Sequence, residues 1–215
     1  MNEVLVCFAV KEEGCFFREA SRSLRAVKTV LTRIGQQNAE AVIKEALVRD
    51  RPRLVLSCGF AGGLRPELET GTVLFAAEPG SELQTALAEA GAKPGRFYCS
   101  NRIITAAAEK QALWKSTGAD AVEMESQFIC AACKKENVPS VTVRVILDTA
   151  NEDLPLDFNR LMNARQQMSY GKLAMALMKS PGKIPALLRL QTQTRAAAQI
   201  LSDVLVNTLG EKRLV

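Results

Sequence analysis

Four short segments of this chain carry side chains suited to chemistry. Ala121-Val122-Glu123-Met124-Glu125-Ser126 sets two carboxylates two residues apart at a strand-to-helix junction, where they share a side only while the backbone stays extended. Glu125 could then accept hydrogen bonds from the vicinal hydroxyls of a ribose; the alternative is a pair of acidic first-turn residues complementing a helix dipole. Arg144-Val145-Ile146-Leu147-Asp148-Thr149 buries an arginine in an apolar strand and ends it on an aspartate. A charge in such a strand needs a partner, catalytic or structural. The end of a strand is also where α/β sheets bind ligands, which makes Asp148 a candidate site residue.

The glycine-rich run Ser57-Cys58-Gly59-Phe60-Ala61-Gly62-Gly63-Leu64 is expected as a loop after an apolar strand, where backbone N–H groups can approach an anion or a sugar, or as a plain tight turn. No helix start follows the glycines; Arg65 to Gly71 leads to another strand, which counts against dinucleotide and methyl-donor cofactor folds. The fourth segment, Ala9-Val10-Lys11-Glu12-Glu13, sets a carboxylate pair directly after the first strand, with surface solvation as the plainer reading for Glu12.

Composition narrows the chemistry further. The chain has no histidine, so a Ser-His-Asp triad, a Cys-His pair and a histidine-based metal site are excluded, and catalysis must rest on carboxylates, Arg, Lys, Tyr, thiols or hydroxyls. No metal and no cofactor are expected, with phosphate as a co-substrate to consider. The six cysteines are scattered, and the Cys130–Cys133 spacing falls mid-helix among apolar residues, so core packing is preferred over zinc or redox chemistry. The opening MNEVLVCFAV lacks a basic leader pattern and reads as a strand, so a cytoplasmic protein is expected. A net charge of +5 would suit phosphate, nucleic acid or a lipid surface and decides nothing alone; no nucleic-acid partner is expected.

The elements that must hold these segments alternate. Apolar runs at 3–10, 27–32, 54–56, 71–77, 96–105, 119–123 and 141–147 read as strands, with helical spacing at 38–49, 83–89, 106–115 and 126–136 between them. Residues 14–24 read as a polar loop passing into a helix that carries Arg18, Arg22 and, just beyond, Arg25. From Asn159 onward the chain reads as helical, broken at Ser180-Pro181-Gly182, and its last helix is amphipathic. The expected fold class is α/β, three layers (α/β/α) around a central mixed sheet, with C-terminal helices added. Residues 1–158 form the core and 159–215 a helical segment packed on the same domain.

In this order, Ala9 to Glu13, Ile34-Gly35, Gly59 to Leu64, Val122 to Ser126 and Arg144 to Asp148 resemble the nucleoside phosphorylase family, including the methylthioadenosine and adenosylhomocysteine nucleosidases. The resemblance implies cleavage of the N-glycosidic bond of a purine nucleoside. It makes Asp148 the acid at purine N7 and Glu13 the water-activating carboxylate, and sets Arg144 among the catalytic groups. Glu123, Met124 and Glu125 become the ribose-binding string, Met124 packing beneath the sugar. Gly59, Phe60, Ala61, Gly62 and Arg33 surround the nucleophile, and Ile103 and Ile104 fall to the base-binding segment. It also implies a homo-oligomer.

Two features leave finer points open. Phe60 stands where the nucleosidases carry a hydroxyl residue, and Arg33, Arg18 and Arg22 could supply guanidinium groups for phosphate or simply be solvated, so water and phosphate both remain as nucleophile. Residues 179–190, with their lysines and leucines, resemble the hopanoid-associated branch of the family, which implies a lipid-linked 5′ substituent and contact with the inner membrane face; packing against the domain or a second subunit explains the same pattern. A methylthioadenosine or adenosylhomocysteine nucleosidase is the alternative enzyme, and a nucleoside-binding protein without catalysis the alternative of another class.

Overall fold

The computed structural model describes residues 3–24, 26–163 and 169–210; Arg25 and the 164–168 and 211–215 parts of the C-terminal segment lie outside the described residues. The strands are β1 (Val4–Phe8), β2 (Val27–Leu31), β3 (Leu54–Gly63), β4 (Val73–Ala76), β5 (Lys93–Pro94), β6 (Phe97–Cys99), β7 (Ala121–Glu123) and β8 (Ser140–Asp148). The helices are α1 (Lys11–Ala20), α2 (Gln36–Asp50), α3 (Glu82–Glu89), α4 (Ala107–Thr117), α5 (Ser126–Lys135), α6 (Phe158–Leu161), α7 (Tyr170–Lys179) and α8 (Ile184–Gly210).

The sheet runs β2-β1-β3-β8-β4-β5, with β7 paired to the end of β3 and β6 to β7. The β1, β2, β3 and β8 pairings are parallel, whereas β4 on β8 and β7 on β3 are antiparallel, so the sheet is mixed. Side-chain alternation along β1 divides the core into two layers. Val4, Val6 and Phe8 face a cluster with Phe17, Val143, Val145, Leu201 and Leu205; Leu5 and Cys7 face Ile43, Ala46, Ile129 and Cys133. Helices α1, α3 and α8 therefore cover one face and α2 and α5 the other, giving the three-layer α/β/α architecture. Leu201 and Leu205 are fully buried, each worth about 1.5–3 kcal/mol relative to exposure. Cys133 packs in the second cluster, as its mid-helix position implied.

Several expected boundaries move, for identifiable reasons. The helix expected after a 14–24 loop instead begins at Lys11, because Glu13 in its first turn reaches back to accept the Val10 N–H at 3.0 Å. The glycine run is no loop: β3 continues to Gly63, its backbone groups paired to β8 as far as Asp148 and to β7 at Gly62 and Gly63. Of 96–105 only Phe97–Cys99 is strand, since Arg102 and Ile103 give their N–H groups to the Ser100 and Asn159 side chains instead of to a ladder. The break at 180–182 is a short 3-10 turn between α7 and α8. Residues 197–209 of α8 supply the buried positions, whereas most of α7 and the first turns of α8 are exposed. No helix among the described residues is long and apolar enough to cross a membrane.

Candidate active site

A cavity of about 310 Å³ opens where the C-terminal ends of β1, β3 and β8 meet the β7–α5 junction. That is the low end of the range for small-molecule sites. Ala9 and Val10 border it after β1, Phe60, Ala61 and Gly62 on β3, Glu123, Met124 and Glu125 after β7, and Leu147 and Asp148 on β8. The parallel order β1-β3-β8 puts three strand ends side by side, which brings together residues more than a hundred positions apart.

Glu13 enters this cavity from the first turn of α1. Its Oε2 accepts the Ala9 and Val10 N–H groups at 2.8 and 3.0 Å, and its Oε1 accepts the Phe60 N–H at 2.9 Å. Gly59 does not line the cavity but makes this bridge feasible: a Cβ there would lie 2.5 Å from Glu13 Oε1. Burial pushes the Glu13 pKa up, against the three N–H donors and Arg144. The result is a buried carboxyl group fixed by three backbone donors at the cavity edge.

Arg144 and Glu123 form a buried ion pair at 2.8 Å, Glu123 in the cavity lining and Arg144 outside it. Arg144 also donates to Ser57, to its carbonyl and to its hydroxyl, the latter at 3.1 Å. Burial opposes its charge, but Glu123, Glu125 and Glu13 outweigh that and raise its pKa. Glu123 Oε2 further accepts the Glu125 and Ser126 N–H groups, and Oε1 the Ser126 hydroxyl. Burial works against Glu123 ionisation, but Arg144 and these donors hold its pKa low. Its acceptors are thus spent on Arg144 and on the start of α5, where it holds the turn. Glu123 itself lines the cavity, whereas Arg144 is not among the lining residues and acts from behind them.

Glu125, two residues on, is differently placed. Oε1 accepts the Gly35 N–H at 3.0 Å, and Oε2 carries no protein hydrogen bond among the described residues. Gly35 has φ +90° just before α2, a conformation that only glycine adopts without strain, and this turn delivers its N–H to the carboxylate. The same turn accounts for a correction: Arg33, expected near the nucleophile, is exposed and does not line the cavity. Burial raises the Glu125 pKa to about 7, Arg144 opposing and Glu13 assisting. Met124 lines the cavity between Glu123 and Glu125.

Across the cavity, Asp148 Oδ2 accepts from the Lys110 ammonium on α4. Burial raises the Asp148 pKa while Lys110 pulls it down, and burial wins. Ile103 and Ile104 line the same side, the backbone of Ile103 pinned by the Asn159 side chain, which donates to its carbonyl at 2.8 Å and accepts its N–H at 2.9 Å. Four residues were assigned no site role from sequence. Lys110 stands in a helix with no apolar stripe to flag its burial, Ser57 holds Arg144 from the neighbouring strand, and Leu190 and Thr194 reach the cavity from α8.

The model of the phosphorylase superfamily matches residues 75–177. A 5′-methylthioadenosine/S-adenosylhomocysteine nucleosidase of Staphylococcus aureus is 26% identical over 174 residues, spanning 65% of this chain and 76% of that protein. The chain is thus similar to the phosphorylase superfamily over its central segment. Among solved superfamily-like structures, the Colwellia psychrerythraea 5′-methylthioadenosine/S-adenosylhomocysteine nucleosidase in complex with adenine aligns at TM-score 0.73, with 17% identity over 97% of this chain and 95% of that one. The futalosine hydrolase of Helicobacter pylori aligns at 0.68, with 16% identity over 95% and 97%. These alignments match the mixed sheet and its two helical layers along nearly the full chain. At this level of identity they show a shared fold.

Proposed function

We propose that this protein hydrolyses the N-glycosidic bond of a purine nucleoside, with an adenosyl compound as substrate. The observation that carries the reading is that Glu13 and Asp148, two carboxylates with raised pKa values, border one cavity together with Met124 and Glu125. Glycosidic cleavage needs an acid at the leaving base and a base at the attacking water, around a ribose that develops positive charge. Protonated Asp148 gives its proton to purine N7 as the C1′–N9 bond breaks and its electron pair moves to the base. Glu13 takes a proton from the water whose oxygen bonds C1′, and solvent exchange resets both groups. Glu125 Oε2 accepts from the ribose hydroxyls, and Met124 packs beneath the sugar.

Water is favoured over phosphate because three carboxylates crowd the nucleophile side while Arg33, Arg18 and Arg22 are absent from the lining; the guanidinium that does line the cavity, Arg102, pairs with Glu109. The names of the relatives, nucleosidases and hydrolases, support the same choice. Retention of both Glu13 and Asp148 argues against a merely nucleoside-binding protein.

The 5′ substituent extends toward α8, whose Leu190 and Thr194 border the cavity. Met175, Met178, Ile184 and Leu188 stand exposed on α7 and the start of α8. This apolar surface supports a lipid-linked substituent with peripheral membrane contact, and equally a second subunit. Incubation with adenosine, methylthioadenosine and adenosylhomocysteine, with and without phosphate, tests the reading through the products. Free base and free sugar without phosphate support it. Phosphate-dependent release of a ribose 1-phosphate overturns the choice of water, and nucleoside binding without base release overturns catalysis.

A further inference from the structure

Lys110 is a charged side chain in the molecule whose burial the reaction above does not explain. It is 0% exposed, and it does not line the cavity. An ammonium has three N–H donors, and the acceptors are accounted for: Asp148 Oδ2, the Thr149 carbonyl at 2.9 Å and the Glu152 carbonyl at 2.7 Å. Two of these are backbone groups of the loop leaving β8, so the direction of the third N–H, toward Asp148, is fixed by the fold. A buried lysine without such partners would lose its proton. Here all three donors are met, one of them by a carboxyl group.

We propose that Lys110 is a positioning residue for the acid: it anchors Asp148 Oδ2 so that the carboxyl group meets the base through Oδ1, and it stabilises the carboxylate left after the proton has gone. This rests on the glycosidic-cleavage reading. The charged groups acting on Asp148 are Lys110 from α4 and Glu152 from the loop after β8, of opposite effect. While Asp148 is protonated, its Oδ2 accepts from Nζ. Once the proton passes to purine N7, the same bond becomes charge-assisted and stronger, which favours the transfer. Burial keeps the acid protonated in the ground state, and Lys110 prevents that effect from making it too weak to donate.

The test is Lys110→Met and Lys110→Arg, read by the pH dependence of base release and by the titration of Asp148 in carboxyl-labelled protein followed by NMR, assigned by its loss in Asp148→Asn. For Lys110→Met the Asp148 titration and the alkaline limb of kcat move up by about one pH unit or more, and maximal kcat falls about tenfold or more while KM changes less. Lys110→Arg keeps both near the wild-type pH. An alkaline limb and an Asp148 titration that stay in place in Lys110→Met overturn the proposal even if activity drops. Should Lys110→Met not fold, the Lys110 Nζ resonance of the wild type decides: it must shift through the Asp148 titration, and a pH-insensitive signal overturns the pairing. The NMR arm needs no turnover, so a wild type that releases no base while its Asp148 titration responds to Lys110 refutes the functional reading and leaves the pairing standing.

Discussion

The Glu13 carboxylate occupies the space that a Cβ on Gly59 would fill, its Oε1 lying 2.5 Å from that position. Glu13 can reach the Phe60 N–H on β3 because residue 59 has no side chain. Gly59→Ala is therefore expected to push Glu13 off the Phe60 N–H and reduce kcat about 100-fold, since small misplacements of a reacting group are costly. Steady-state base-release kinetics measure the loss. Near-wild-type kcat with a folded protein would show that the Glu13 position is immaterial.

Asp148→Asn keeps the size of the side chain and its link to Lys110 but removes the proton donor. Turnover is expected to fall by about 10²–10⁴ with nucleoside affinity within a few-fold of wild type. Unchanged turnover would sink its assignment as the acid.

The pairing of Arg144 with Glu123 is structural, and breaking it leaves a carboxylate buried without its cation. Arg144→Met should destabilise the fold by about 3–5 kcal/mol in denaturant unfolding. The double variant with Glu123→Gln should regain part of that loss. A single variant within 1 kcal/mol of wild type would mean the pair does not hold the β7–α5 turn, by the usual scale of buried pairs.

Glu125 has its pKa raised from 4.5 to about 7 by burial, so the folded state resists its ionisation. The stability it contributes is complete below pH 4.5 and is lost as pH rises through 7. Folding stability should fall by up to about 3 kcal/mol across that window from this group, and Glu13 and Asp148 shift in the same direction. Urea unfolding from pH 5 to 8 should give a flatter profile for Glu125→Gln. Identical slopes in the two proteins would contradict the placement of Glu125. The ionised form accepts hydrogen bonds from the ribose hydroxyls, so KM should also rise as pH drops below about 7.

The sequence by itself determined the layered α/β class and most of the strands and helices, because hydrophobic periodicity and turn residues are local signals. The absence of histidine also restricted any catalysis to carboxylates, Arg, Lys, Tyr, thiols or hydroxyls. It marked Glu13, Glu125 and Asp148 through their positions at strand ends. What each group touches was decided by tertiary structure. Glu123 and Glu125 look equivalent in sequence, yet Glu123 is spent on Arg144 while Glu125 keeps an oxygen free of protein partners among the described residues, because β7 and β8 both pair with β3 and bring Arg144 to Glu123. The glycine run became strand because β7 and β8 were there to pair with it. Lys110 became the partner of Asp148 only when α4 folded against the end of β8, across 38 residues, a contact to which no local pattern points.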